Sequence, residues 1–404
     1  MDENEKTGES KSNNQNQLKF VQSVLSKYYS LDKNRKRIFI PNIENREFGA
    51  GIEKKIDFRH RSFSSNFEFY EFLTRTAPLY VSYSTAIYRF PSANPMEKKE
   101  RLATNLVFDL DNTYESENHL EETHNDIICQ YCLKRATEDA NRFVKEFVLD
   151  DFGFSRQDIN INFSGSKGYH IHIRNESVSQ LSSDSRKQLC DYAAGFQIRP
   201  FDETGNGGIL IKNYQSNKRS YTVNGPKEGD FGWKKKVLSW TIDFIEKSQD
   251  KDLKEMGITR PIKIKQFMEK KGEIIKAIKN GLWEYLDIDK NFFENCVQRA
   301  ISNIRVETDK PVSFDLARLI RVPNSIHGTT GLVAIEVQDL EKFEPLKDAI
   351  AFEGKGCRIY TLESIKLKMN EREFVLEKFK EESVPDYLAV LLVLKGKARI
   401  LDEV

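Results

Sequence analysis

A chain of 404 residues is too long for one typical domain and predicts two or three lobes. Its 63 Lys and Arg stand against 62 Asp and Glu, a formal charge of +1, which excludes nucleic-acid binding by bulk charge alone and leaves room for a local basic groove. The longest apolar run, Tyr387–Leu394, falls far short of the ~18–20 residues that span a bilayer. The polar N-terminus lacks the apolar stretch of a signal peptide, and five cysteines do not make a secreted disulfide framework. These features predict a soluble intracellular protein.

In chain order, residues 1–17 have almost nothing to bury and are expected to be disordered. Leu18, Val21, Val24, Leu25 and Tyr28 then recur at helical spacing. Ile38 through Phe63 alternates like strands, and 66–76 has a helical pattern. Leu106–Asp111 is a short apolar strand ending in two acids, followed by a helix from about Cys132 to Val148. Ile159–Phe163, the turn Ser164–Gly168 and Tyr169–Ile173 form a hairpin. Residues 205–230 are Gly- and Asn-rich and predict a loop. The pattern from Trp233 to about Ile301 is helical and predicts a lobe, 231–302, inserted into the main domain between its parts 18–230 and 303–404. A helix carrying Leu316, Leu319 and Ile320 should begin near Pro311 and end before Pro323, and a charged helix is expected near 370–382.

Four constellations carry chemistry. Residues two apart on a strand share a face, so Asp109 and Asp111 lie side by side opposite Leu106, Phe108 and Leu110. Paired carboxylates suit Mg²⁺ or Mn²⁺; the plainer alternative is a strand end facing water. In the turn, Ser164, Ser166 and Lys167 with Gly165 and Gly168 suit phosphate oxygens, with His170 and His172 on one strand face; the alternative is an ordinary hairpin. His119, His124, Cys129 and Cys132 fit a structural Cys₂His₂ zinc site, with Glu115 or Glu117 as substitutes for His119 and a redox Cys pair as the competing reading. Finally, Arg318, Arg321 and His327 flank Pro323, where a loop can aim them at a ligand. Lys263, Lys265, Lys270, Lys271, Lys276 and Lys279 either track a phosphate backbone or form a solvated helix face.

The order of these pieces (the D-x-D strand, the Cys/His segment, SGSKGYHIHI, a separated Asp and LARLIRVPNSIHGTTG) resembles the catalytic small subunit of archaeal and eukaryotic DNA primase, the archaeal form most closely. The resemblance implies an α+β catalytic domain with mixed and antiparallel sheets flanked by helices, an inserted helical subdomain and a small zinc-binding motif at 115–133. It implies template-directed, two-metal-ion synthesis of short primers on single-stranded DNA from nucleoside triphosphates, with a large subunit as partner. A repair-type primase-polymerase and a non-catalytic nucleic-acid-binding subunit are the alternatives. Asp109 and Asp111 match the first two metal-binding acids and Asp309 the third, with Glu307 and Asp315 as neighbours that spacing does not exclude. Ser164, Ser166, Lys167, His170, Arg321 and His327 match nucleotide contacts, and Glu47 and Arg59 fall where the family has residues near the nucleotide. His119, His124, Cys129 and Cys132 match the zinc ligands, His119 standing where a cysteine is common.

Overall fold

The computed structural model describes residues 3–52, 54–111, 127–201, 208–214, 221–284, 290–352 and 355–403. The chain divides into two compact units. The first comprises 1–141, 155–188 and 308–404; the second comprises 142–154 and 189–307. Among the described residues no helix is long and apolar enough to cross a membrane.

Two antiparallel sheets of the first unit carry the D-x-D strand, the hairpin and Leu319–Arg321. One runs Leu319–Arg321, Tyr80–Ser84, Phe48–Gly51, Phe58–Arg61 in spatial order. The other runs Leu106–Asp111, Gly168–Ile173, Ile159–Phe163, with Asp109 opposite His170 and Asp111 opposite Gly168. Leu106, Phe108, Leu110, Tyr169, Ile171 and Ile173 are buried on one face of this sheet, so alternation sends both acids and both histidines to the other. A third sheet, Glu381–Pro385, Gly356–Thr361 and Ala398–Glu403, accompanies the helix Asp386–Leu394. That helix is apolar all round, and Tyr387 through Leu392 are buried, as core rather than as a docking surface.

Several elements differ from their sequence expectation. Helix begins at Glu3 and continues to Ser30, so the segment expected to be disordered is helical from its third residue. Its apolar stripe, Phe20, Val21, Val24, Leu25, Tyr28 and Tyr29, is buried and anchors the C-terminal half of the helix. The helix expected across 311–322 is instead a single turn, Lys310–Phe314, and a strand, Leu319–Arg321. Leu316, Leu319 and Ile320 do match a helical period, but three residues are too few to decide it. Pairing with Tyr80–Ser84 outweighs local preference. The charged stretch near 370–382 forms the strands Arg372–Leu376 and Glu381–Pro385, which pair with Ile365–Met369 and Gly356–Thr361, and this ladder pairing outweighs local preference.

The second unit is broader than the helical lobe expected at 231–302. It holds the helices Gly232–Lys247, Asp250–Glu255, Pro261–Glu269, Lys271–Lys279 and Lys290–Ile304. It also holds a sheet of Arg199–Phe201, Gly208–Tyr214 and Tyr221–Asn224, where a loop was expected. The helix Gln130–Arg142 is followed by π-helical Phe143–Asp151, whose wider turn buries Phe143, Val144, Phe147 and Val148.

Candidate active site

The two catalytic-face sheets of the first unit border a cleft of about 580 Å³. One wall carries the acids. Asp109 is 8% exposed, and its Oδ1 has no hydrogen-bond partner, lying 3.7 Å from His170 Nε2. The turn Lys310–Phe314 is pinned to the same strand: Asp309 N–H donates to Asp109 O at 2.8 Å, and Ser313 Oγ to Val107 O at 2.8 Å. Burial, then the charges of Asp111 and Asp309, push the Asp109 carboxyl well above the usual range. Burial and Asp309 push Asp111 up too, against the opposing pull of Lys167 and Lys55. Glu307 pairs instead with Arg305 at 3.7 Å; Asp315 lines the cleft with its Oδ1 accepting from Ala317 N–H, and Asp309 is the third acid whose charge acts on both Asp109 and Asp111.

Among the described residues no three His, Cys, Asp or Glu side chains are drawn tightly enough together to enclose an ion. The three carboxylates repel one another, and Asp309 Oδ2 lies 3.8 Å from Arg318 Nη2. The donor set nonetheless fits a hard divalent cation: all-oxygen, anionic, with one buried oxygen unpartnered.

Gly168 makes the acid wall possible. A Cβ there would stand 2.1 Å from Leu110 O and 2.7 Å from Asp111 Oδ1. At the other end of the turn, Gly165 has φ +82°, and a Cβ would lie 2.7 Å from His327 Cβ. The hairpin and the His327 loop therefore meet at a glycine, and Thr330 Oγ1 donates to Gly165 O at 2.5 Å. Ser164 Oγ accepts from the N–H groups of Ser166 (3.4 Å) and Gly168 (3.2 Å), so two of the turn's amides point inward rather than to a ligand. Ser164, Ser166 and Lys167 line the cleft.

The opposite wall is basic. Arg321 lines the cleft with Nη1 buried and without a hydrogen-bond partner; burial lowers its pKa to about 10, so it stays charged. Burial and Arg321 hold His170 down to about 3, and burial with several cations holds His327 well below its usual value, so both are neutral at physiological pH. Thr329 N–H donates to His327 Nδ1 at 3.2 Å. The proton of neutral His327 therefore sits on Nε2, as a donor.

Glu47 does not reach the cleft. It is fully buried, and its neighbours explain why: a β-bulge pairs Phe48 with Arg61 and Ala50 with Phe58, leaving Arg59 and His60 opposite one residue, with His60 at φ +63°. Both then turn to Glu47 Oε1, Arg59 Nε at 2.7 Å and His60 Nδ1 at 3.2 Å, while Lys99 Nζ meets Oε2 at 3.2 Å. Arg59 lines the cleft and donates from Nη2 to Ala317 O at 2.9 Å. Glu47 thus orients Arg59. Lys99 was not singled out by sequence, since the adjacent pair Lys98 and Lys99 carries no pattern; nor was Lys55, which lines the cleft.

His119 and His124 lie outside the described residues. Cys129 is buried, Cys132 is half-buried in the first turn of Gln130–Arg142, and neither is in a disulfide. Burial and the Cys129 thiol push Cys132 up to about 11. A redox pair at a helix start needs a lowered thiol, so that reading loses support.

The family model of the DNA primase small subunit matches residues 108–339, which hold all three acids, the hairpin and the Arg321–His327 loop. The chain belongs to that family. It is 30% identical to the DNA primase small subunit PriS of Methanococcoides burtonii over 399 residues, covering 94% of this chain and 97% of the relative. The PriS of Methanothrix thermoacetophila is 31% identical over 378 residues (89% and 93%), and that of Archaeoglobus fulgidus 27% over 387 (94% and 97%). As an archaeal-type primase small subunit, the chain is the catalytic, DNA-directed nucleotidyltransferase subunit that makes primers.

Proposed function

We propose that the cleft joins nucleoside triphosphates along a single-stranded DNA template by two-metal-ion transfer, with Asp109, Asp111 and Asp309 holding Mg²⁺ or Mn²⁺. The observation that carries this is the pairing of unmet needs in one cleft: a buried acid oxygen without a partner on Asp109 and a buried guanidinium nitrogen without one on Arg321. A cation satisfies the first and a triphosphate the second. When bound, the ions supply acidification of the attacking 3′-hydroxyl and charge neutralisation at the α-phosphate.

The chain's own residues do the rest by position and charge. Arg321 and Lys167 give charge-assisted hydrogen bonds to the β- and γ-phosphates. His327 donates from Nε2, and neutral His170 stands between the acids and the phosphates without adding charge. Ser166 adds a hydroxyl at the turn, Ser164 shapes it, and Arg59, held by Glu47, closes the side nearest Ala317. Arg318 holds Asp309 by its charge.

The reading extends to a structural zinc held by Cys129 and Cys132 with His119 and His124, to a large subunit as partner, and to the second unit as an insertion in the catalytic domain. It places the enzyme inside the cell, at the nucleoid. The test is labelled-nucleotide incorporation on single-stranded DNA with Mg²⁺ or Mn²⁺. Asp109→Ala, Asp111→Ala and Asp309→Ala should each abolish it; normal turnover in any of them removes that acid from the metal site.

A further inference from the structure

The loop that presents Arg321 and His327 is not held by the sheets alone. Two consecutive tyrosines in the last turn of the helix Glu3–Ser30 reach it. Tyr29 is 1% exposed, and its hydroxyl oxygen accepts the main-chain N–H of Ile326 at 3.1 Å. Tyr28 is 5% exposed, and its hydroxyl donates to Asn324 O at 2.9 Å. Asn324 sits at φ +61°, where its own Nδ2 donates to Arg37 O at 2.8 Å, just beyond the same helix. The helix end is itself fixed: Asn34 Nδ2 donates to Tyr28 O at 2.9 Å and Arg35 Nε to Tyr29 O at 3.3 Å. These bonds satisfy carbonyls that a helix terminus otherwise leaves open.

Two polar contacts therefore run from a rigid helix end to the loop between Arg321 and His327, one accepting and one donating. The Tyr29 hydroxyl also lies in the field of the Arg321 guanidinium, each favouring the other's charged form. Neither tyrosine lines the cleft.

We infer that Tyr29, seconded by Tyr28, is a positioning residue that sets nucleoside triphosphate affinity by fixing the loop bearing Arg321 and His327. This rests on the assignment of those two residues to the triphosphate. The N-terminal helix is then part of the nucleotide site without touching the nucleotide. Removing the Tyr29 oxygen leaves the buried Ile326 N–H without its acceptor, and the loop relaxes by turning toward another one.

The test uses the full chain with Mn²⁺, a primed single-stranded template and a varied nucleoside triphosphate. Tyr29→Phe keeps the ring in the core, and should raise the nucleotide KM by about tenfold while kcat changes by about twofold or less. Template affinity, read by anisotropy of a labelled oligonucleotide, should not move. In an Arg321→Ala, His327→Ala background the same substitution should add about twofold at most, because its effect passes through that loop. Tyr28→Phe, acting on Asn324, should show the same pattern more weakly, and it carries the test should Tyr29→Phe not fold. A tenfold KM effect that persists undiminished in Arg321→Ala, His327→Ala would overturn the inference, as would unchanged KM in both tyrosine variants alongside a raised KM in Arg321→Ala. An unchanged KM in Arg321→Ala itself instead removes the triphosphate assignment on which the inference stands.

Discussion

The main-chain N–H of Asp309 donates to the carbonyl of Asp109 across 2.8 Å. This one bond joins acids from distant parts of the chain and brings the Asp309 charge to bear on Asp109 and Asp111. The arrangement is costly, since burial and mutual repulsion both oppose ionisation of Asp109.

Relieving that repulsion should stabilise the protein while destroying its activity. Asp109→Asn is expected to raise the stability of metal-free protein by about 1 kcal/mol, the usual scale for removing a strained functional group. Mn²⁺ should raise the wild-type Tm and leave that of the variant unmoved. Melting curves in chelator and in Mn²⁺ read both effects; a variant less stable than wild type in chelator contradicts the account of the repulsion.

Gly168→Ala should be far worse than a methyl group implies. Its Cβ meets backbone oxygen at Leu110 and the carboxylate of Asp111, and neither can move without disturbing the paired strands. The expected loss is about 1–3 kcal/mol in urea unfolding, with activity lost in the folded fraction.

Lys99 is an ammonium with no exposure, shared between Pro91 O and the Glu47 carboxylate. Lys99→Met takes away the only cation at Glu47 Oε2 among the described residues while Arg59 still holds Oε1, so it should cost about 1–3 kcal/mol. The Lys99→Met, Glu47→Gln double variant should be less destabilised than the two losses summed. Strict additivity in denaturant titrations would show that the two groups do not act as a pair.

Zinc bound through Cys129 and Cys132 should appear as one equivalent in metal analysis of purified protein. Cys129→Ser should lose the metal and lower Tm, with a smaller effect on kcat. Metal-free, fully stable protein rules the zinc out.

The parts of this site that repeat locally were legible in the sequence. Asp109 and Asp111 on one strand face, and His170 and His172 on the face opposite Tyr169 and Ile171, follow from a period of two, and the structure pairs those faces as the pattern implies. The meeting of Asp309 with Asp109 is long-range, and no local pattern signals it; only the family resemblance pointed there. Leu319–Arg321 shows the opposite failure, a helical spacing overruled by the open edge of the Tyr80–Ser84 strand. The orientation of Glu47 was unreadable for a narrower reason. One bulged residue turns Arg59 and His60 to the same side, and a one-residue irregularity leaves no trace in composition or periodicity.

A crystal soaked with Mn²⁺ and a non-hydrolysable nucleoside triphosphate, with anomalous scattering recorded at the manganese edge, tests the central claim most directly. The account predicts manganese bound by Asp109, Asp111 and Asp309, with the Asp309 carboxylate drawn away from Arg318 and the triphosphate against Lys167, Arg321 and His327. Manganese bound without Asp309, its carboxylate still facing Arg318, would contradict it.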